Sequence, residues 1–382
     1  MTKLPKSFDE FSNAKREGFL KVKELKEQGK DIIGTYCTYT PKELIMAAGA
    51  IPIGLCGTSE EPIQEAEKDL PRNLCPLIKS SYGFGVTDTC PYFYFSDLIV
   101  GETTCDGKKK MYELLKEKKA MHVMQLPQNN EDKESFNLWK KEMKKLKEKL
   151  EKQFDVEITD EKLKEAINLR NREREIMKQF YELGTLCPPP IEGSEILEVL
   201  YGAEFKFNKE EHIKEMGSLL EDIKEDYQQG ERKIAEDKPR ILITGCPIAG
   251  DSEKVVKAIE NSGGVVVCFE NCFGVKANEE LVAENINPID ALTKKYLNIP
   301  CSVMSPNDGR LDLLSELIDR YQVDGVVDIA LQGCHTYNIE TATIKEFVNN
   351  EKNISYTNIE TDYSQTDTGQ LATRLGAFIE ML

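Results

Sequence analysis

The chain has 382 residues, with 50 Lys and Arg against 67 Asp and Glu, a formal net charge of −17, 11 cysteines and 3 histidines. That balance argues against nucleic acid as a partner, because such binding draws on clustered cations, and no apolar run nears the ~18 residues of a membrane span. The opening MTKLPKSFDEFSNAK lacks an apolar leader segment, so the sequence reads as a cytoplasmic protein with reduced thiols and a core that needs no disulfide staples.

Residues 7–30 show helical spacing, with Phe8, Phe11, Phe19, Leu20 and Val22 set among charges. A first α/β unit follows. Strand-like runs near 32–36, 51–55, 97–101 and 121–125 alternate with helical stretches at 41–49, 75–84 and 107–119, which implies βαβ crossovers and a mostly parallel sheet. From about 130 to 235 the strand signal gives way to long amphipathic stretches rich in Lys and Glu, interrupted by CPPPIEGS at 187–194. Their charge runs read as solvated helix faces. A second α/β unit begins at Pro239, with runs RILITG, GVVVCFE, DGVVDIAL and ISYTNIET and helical stretches near 252–262, 310–321, 338–349 and 368–381. The expected fold is α/β: two parallel-sheet, flavodoxin- or Rossmann-like units (1–129 and 237–382) flanking a helical insertion at 130–236.

The cysteines carry the chemistry. Cys37, Cys105, Cys246 and Cys334 lie at or just past the ends of apolar runs (IIGTYC, LIVGETTC, ILITGC, VVDIALQGC), and Cys272 follows VVVCFEN in the same way. Cys75 opens a helix-like stretch after DLPRNLC, with Pro76 at its first turn. Ligands of open α/β sheets bind outside the carboxyl ends of the strands. Thiols placed there by separate strands therefore converge, as an iron–sulfur cluster needs. Paired CxxC spacing for zinc and the ferredoxin-type run are both absent; the closest pair is Cys268 and Cys272.

Dispersed cysteines are otherwise small buried hydrophobes. Cys268, alternating within an apolar strand, is read as core, and Cys90, Cys187 and Cys301 as loop residues. Cys56 also ends a strand and stays an alternative. For proton delivery the candidates are His335, beside Cys334, and Glu360, which follows the last apolar run; Asp362 and Glu270 are placed similarly. Lys108–Lys110 reads as a solvated helix start.

The segments GTYCTYTPKELIMAAGAIPIGLCG, LPRNLCPLIKSSYGFG, DLIVGETTCDGKKKMYE, RILITGCPIAG, QGCHTYN and IETDYS with GQLATRLGAFIEML resemble the 2-hydroxyacyl-CoA dehydratase D-component superfamily from Phe8 to Leu382, in the same order. Within it the chain looks most like the double-cubane-cluster proteins. The resemblance implies a 4Fe–4S cubane on Cys75, Cys105 and Cys334. It further implies a second cubane, completing an 8Fe–9S unit, on Cys37, Cys246 and Cys272, with Cys56 or Cys268 as an alternative member. No G-x-x-x-x-G-K-[ST] phosphate loop occurs. The resemblance accordingly implies single electrons supplied by a separate ATP-hydrolysing iron–sulfur activator (archerase), a small-molecule substrate, and a homodimer. The expected function is an iron–sulfur reductase. A 2-hydroxyacyl-CoA dehydratase subunit with a single 4Fe–4S cluster, and a non-catalytic electron-storage protein, are the other two readings.

Overall fold

Short apolar runs bounded by turn residues set up the first sheet. The computed structural model describes residues 7–382, with side chains from residue 17 onward, so Phe8 and Phe11 lie outside the described side chains. Helix α1 (Ser7–Glu27) leads into β1 (Ile32–Thr35), α2 (Lys42–Ala47), β2 (Ile51–Gly54), α3 (Ile63–Ala66), α4 (Pro76–Thr87), α5 (Pro91–Phe95), β3 (Leu98–Glu102), α6 (Asp106–Leu115) and β4 (Met121–Met124). The four strands form an all-parallel sheet in the order β2-β1-β3-β4. All five residues of β3 are buried, as expected of a strand covered on both faces by crossover helices.

Four helices follow: α7 (Lys133–Phe154), α8 (Asp160–Tyr181), α9 (Gly193–Ala203) and α10 (Lys209–Gln228). α8 and α10 pack on each other, but the stripes of the four helices also reach both sheets. Trp139, Met143, Leu146 and Leu150 of α7 recur at helical spacing and join the core of the first sheet, whereas Leu197 and Leu200 of α9 and Leu219 of α10 join the core of the second. The helical segment thus packs against both sheets.

The second sheet comes from β5 (Arg240–Gly245), α11 (Lys254–Asn261), β6 (Val265–Phe269), α12 (Pro288–Leu297), α13 (Asp308–Arg320), β7 (Gly325–Leu331), α14 (His335–Glu346), β8 (Ser355–Thr361) and α15 (Thr368–Glu380). Its order, β6-β5-β7-β8, repeats that of the first sheet, and it too is all parallel. In each sheet the chain lays its second strand on one side of the first and its third on the other. The crevice between those two central strands is where ligands of such sheets bind.

Three helices went unanticipated. α3 and α5 have 4 and 5 residues, too short to give a periodic signal, and the aromatic PYFYF of α5 has strand-like composition. α12 was legible in principle, since Asn287 caps it by accepting from Ile289 N and Asp290 N, with Pro288 at the first turn. Among the described residues no helix is long and apolar enough to cross a membrane.

Candidate functional site

The carboxyl ends of both sheets open onto one cavity of about 690 Å³. Nine of the 11 cysteines line it: Cys37, Cys56, Cys75, Cys90, Cys105, Cys246, Cys272, Cys301 and Cys334. Cys268 is buried within β6, and Cys187 is exposed elsewhere. All six cysteines singled out in the sequence reach the cavity. Cys90 and Cys301 reach it as well, although the sequence placed them in loops without a ligand role.

Local geometry explains the convergence. Cys37 and Cys105 leave the central strands β1 and β3, and Cys246 and Cys334 leave β5 and β7. The last two each follow a glycine held at positive φ, +104° at Gly245 and +72° at Gly333. A Cβ on Gly245 would lie 2.1 Å from Ile329 O, and one on Gly333 would lie 2.8 Å from Asn73 O. Only glycine lets the backbone turn this closely. Cys246 is then fixed from two sides: its N–H donates to Ile329 O at 2.7 Å, and Leu331 N–H donates to its sulfur at 3.3 Å. Cys75, Cys90, Cys105 and Cys334 are the N-caps of α4, α5, α6 and α14. At Cys105, Lys108 N–H donates to the sulfur at 3.5 Å. Helix N-termini favour the thiolate form, but at Cys90 and Cys105 burial outweighs this and pushes the thiols up.

The thiols fall into two groups. Cys75 and Cys246 both hydrogen-bond to Cys334; these bonds push the Cys334 pKa down to about 3, and they help to raise those of the other two. Cys105 lies within electrostatic range of Cys334. The second group is Cys37, Cys272 and Cys301, each within range of the others and with burial pushing the Cys37 and Cys272 thiols up. The sequence grouped Cys246 with Cys37 and Cys272. In the structure Cys246 sits with Cys75 and Cys334, and Cys301 takes the neighbouring place beside Cys37 and Cys272. Cys56 packs in the same cluster as Cys75, Cys246, Cys105 and Cys334 and donates to Tyr36 O at 3.1 Å.

Among the described residues no three His, Cys, Asp or Glu side chains gather around a single ion position. The donors are instead sulfur atoms spread around a buried volume, a set suited to a polynuclear iron–sulfur cluster rather than to zinc or a hard cation. Lys108, expected to be solvated, turns inward: its Nζ donates to Tyr36 O at 2.6 Å. Burial opposes its charge, but Cys37, Tyr112, Cys56 and Cys105 around it push its pKa up on balance. Lys109 and Lys110 do face solvent, paired with Asp106 and Glu113. Glu102, which ends β3, was not anticipated; burial pushes its carboxyl up to about 7 although Thr40 donates to it.

The proton-delivery candidates separate. His335 is exposed and lines the cavity at the start of α14. Glu360 belongs to β8 itself, exposed between buried Ile359 and Thr361, and does not line the cavity. The strand's period of two sends its side chain outward, so Glu360 leaves the candidate site. Asp362 lies 3.9 Å from Lys254. Glu270 is fully buried and held by Lys276 at 2.9 Å and Thr244 Oγ1 at 2.6 Å.

Comparison with known proteins shows the family. Residues 37–382 match the family 2-hydroxyglutaryl-CoA dehydratase, D-component. The chain is 57% identical over 382 residues to the Escherichia coli (strain K12) protein named "Putative dehydratase subunit YjiM", covering 100% of this chain and 99% of that one. It is 26% identical over 369 residues to the (R)-phenyllactyl-CoA dehydratase beta subunit of Clostridium sporogenes, covering 94% of each. With a benzoyl-CoA reductase subunit of Thauera aromatica the identity is 22% over 317 residues, covering 81% of this chain and 80% of that one. The family match covers most of the Phe8–Leu382 stretch that resembled this superfamily, and the chain belongs to the 2-hydroxyglutaryl-CoA dehydratase D-component family.

Proposed function

We propose that this chain is a cytoplasmic iron–sulfur reductase that holds an 8Fe–9S double cubane in the thiol-lined cavity. It works as a homodimer and takes low-potential electrons from a separate ATP-hydrolysing activator to reduce a small molecule. The observation that carries this reading is the surplus of sulfur: nine cysteines on one cavity, where a single cubane takes at most four. Cys75, Cys105 and Cys334 hold one cubane. Cys37 and Cys272 hold the other, and its third thiolate is Cys246 or Cys301. When bound, the cluster supplies low-potential electrons beside the substrate. The chain's own residues do the rest. Lys108 offsets thiolate charge from inside the cavity, buried walls keep water from the sulfurs, and His335 stands at the solvent-exposed edge of the cavity.

A second reading is favoured by the names of its relatives, among them one named "Putative dehydratase subunit YjiM" and an (R)-phenyllactyl-CoA dehydratase beta subunit. In that case the chain holds a single 4Fe–4S cluster and acts on a 2-hydroxyacyl-CoA. Iron and acid-labile sulfide in anaerobically purified protein separate the two. About eight irons per chain supports the double cubane, about four supports the dehydratase reading, and zinc in place of iron overturns both. The activator is tested with ATP: reduction that proceeds equally well with dithionite and no nucleotide removes it from the scheme.

A further inference from the structure

At the end of the cavity formed by α2, α8, α10 and α12, positive charge accumulates in a chain whose net charge is −17. Lys42, Lys209, Arg170, Arg174 and Lys295 meet there. Arg174 pairs with Glu43 at 2.5 Å, Lys42 with Glu204 at 3.1 Å, and Arg170 and Lys209 share Glu173, the latter at 3.0 Å. Lys295 has no such partner. It is 3% exposed, and among the described residues no carboxylate lies within 4.0 Å of it. Its Nζ donates to Ala277 O at 3.0 Å and sits 4.7 Å from the Tyr296 ring centroid. Glu280, the other acid in range, instead accepts from Asn298 Nδ2 at 3.4 Å. With Lys295 protonated and Glu280 ionised, five cations would face four carboxylates.

The same end holds unused donors. The Nε–H groups of Arg170 and Arg174 are buried without a hydrogen-bond partner, and both residues line the cavity with Lys42 and Lys295. Burial first, then the two guanidiniums, push the Lys295 pKa well down. A buried ammonium beside like charges is costly to keep, and such costs gather at sites that bind something.

We infer that this end of the cavity is a carboxylate subsite, with Lys295 as its counter-ion and the free guanidinium N–H groups as additional donors, so that the substrate is a small molecule bearing one carboxylate. A monocarboxylate bound there would favour the protonated form of Lys295 and give it the partner that no side-chain carboxylate supplies. Planar guanidinium donors fit a planar carboxylate, and one bound there makes charge-assisted hydrogen bonds away from water. α12 ends at Leu297, four residues before Cys301, and Lys295 lines the same cavity as Cys301, Cys37 and Cys272. Calling the bound molecule a substrate rests on the reductase reading; the binding itself does not.

The test is calorimetric titration of the anaerobically purified full-length protein with butyrate and with its neutral isostere butyramide, in a carboxylate-free buffer. Iron is counted on the same batch. Butyrate should bind saturably and butyramide at least ~10-fold more weakly, the discrimination expected when a buried charge loses its partner. Lys295→Met should weaken butyrate at least ~10-fold and raise the melting temperature of the unliganded protein, whereas Lys295→Arg should stay within a few-fold of the parent. Equal binding of acid and amide overturns the inference even if no variant folds. So does an unaffected Lys295→Met, or inorganic phosphate binding where butyrate does not. No electron donor is present, so failure of the reductase reading appears in the iron count and in turnover while the titration stands on its own.

Discussion

Glu43 on α2 and Arg174 on α8, 131 positions apart, form an ion pair at 2.5 Å with side chains 0% and 1% exposed. Tyr296 of α12 donates to the same carboxylate at 2.7 Å. Three helices, one each from the first unit, the central helical segment and the second unit, are thereby locked together beside the thiol cavity.

Removing one partner of that pair strands a buried charge. Glu43→Ala should cost ~3–5 kcal/mol, the usual range for breaking a buried pair by one-sided substitution, read as a fall in the denaturant midpoint. Burial by itself would raise the Glu43 pKa; Arg174, Arg170 and the Tyr296 hydroxyl outweigh it and hold it down at about 2. A depressed carboxyl adds stability that is fully present above its ordinary value of 4.5 and is lost as pH falls towards 2. Unfolding midpoints measured from neutral pH down to that range should fall more steeply for the parent than for Glu43→Gln.

Serine variants should sort the cysteines by iron content. Cys105→Ser and Cys334→Ser should each lose most of one cubane. Of Cys246→Ser and Cys301→Ser, one should lose iron and the other retain it, which identifies the remaining thiolate. Cys187→Ser should leave iron unchanged, since that residue is exposed and remote from the cavity.

At Gly245, alanine should do more than fill space. The left-handed region costs an L-residue ~1–2 kcal/mol, and the added Cβ would meet Ile329 O at 2.1 Å. Gly245→Ala should lower the melting temperature and also loosen the Cys246 thiol, seen as faster alkylation by iodoacetamide in iron-free protein.

His335→Gln should leave stability within ~0.5 kcal/mol, as for other exposed substitutions, and leave iron content and cluster spectra intact. Turnover decides its role. A loss of ~10²-fold or more marks a proton donor, and a change within a few-fold marks a residue that only flanks Cys334.

The parallel sheets were legible because fully covered strands leave continuous apolar runs such as ILITG and GVVDIAL, and the strand-end cysteines were legible because each run stops just before its thiol. What stayed hidden depends on packing between distant segments. Cys301 reaches the cavity only because α12 packs beside the first sheet, and Lys108 turns inward because Tyr36 O waits there, 72 positions away. Glu360 falls on the opposite face of β8 from buried Ile359 and Thr361 and is itself exposed. Nothing in NIETDY alone fixes that parity.

Because the two sheets share one strand order and both send thiols into the same space, whatever fills that space ties the two halves of the molecule together. Iron would then act as a clasp as well as a cofactor. Protein stripped of iron by a chelator should loosen around the cavity, while the shared cores and the Glu43–Arg174–Tyr296 contact still hold the halves, and be cut sooner by protease at the cavity rim, as happens when metal binding and folding are coupled. Oxygen damage to the cluster would, by the same link, mark the chain for degradation.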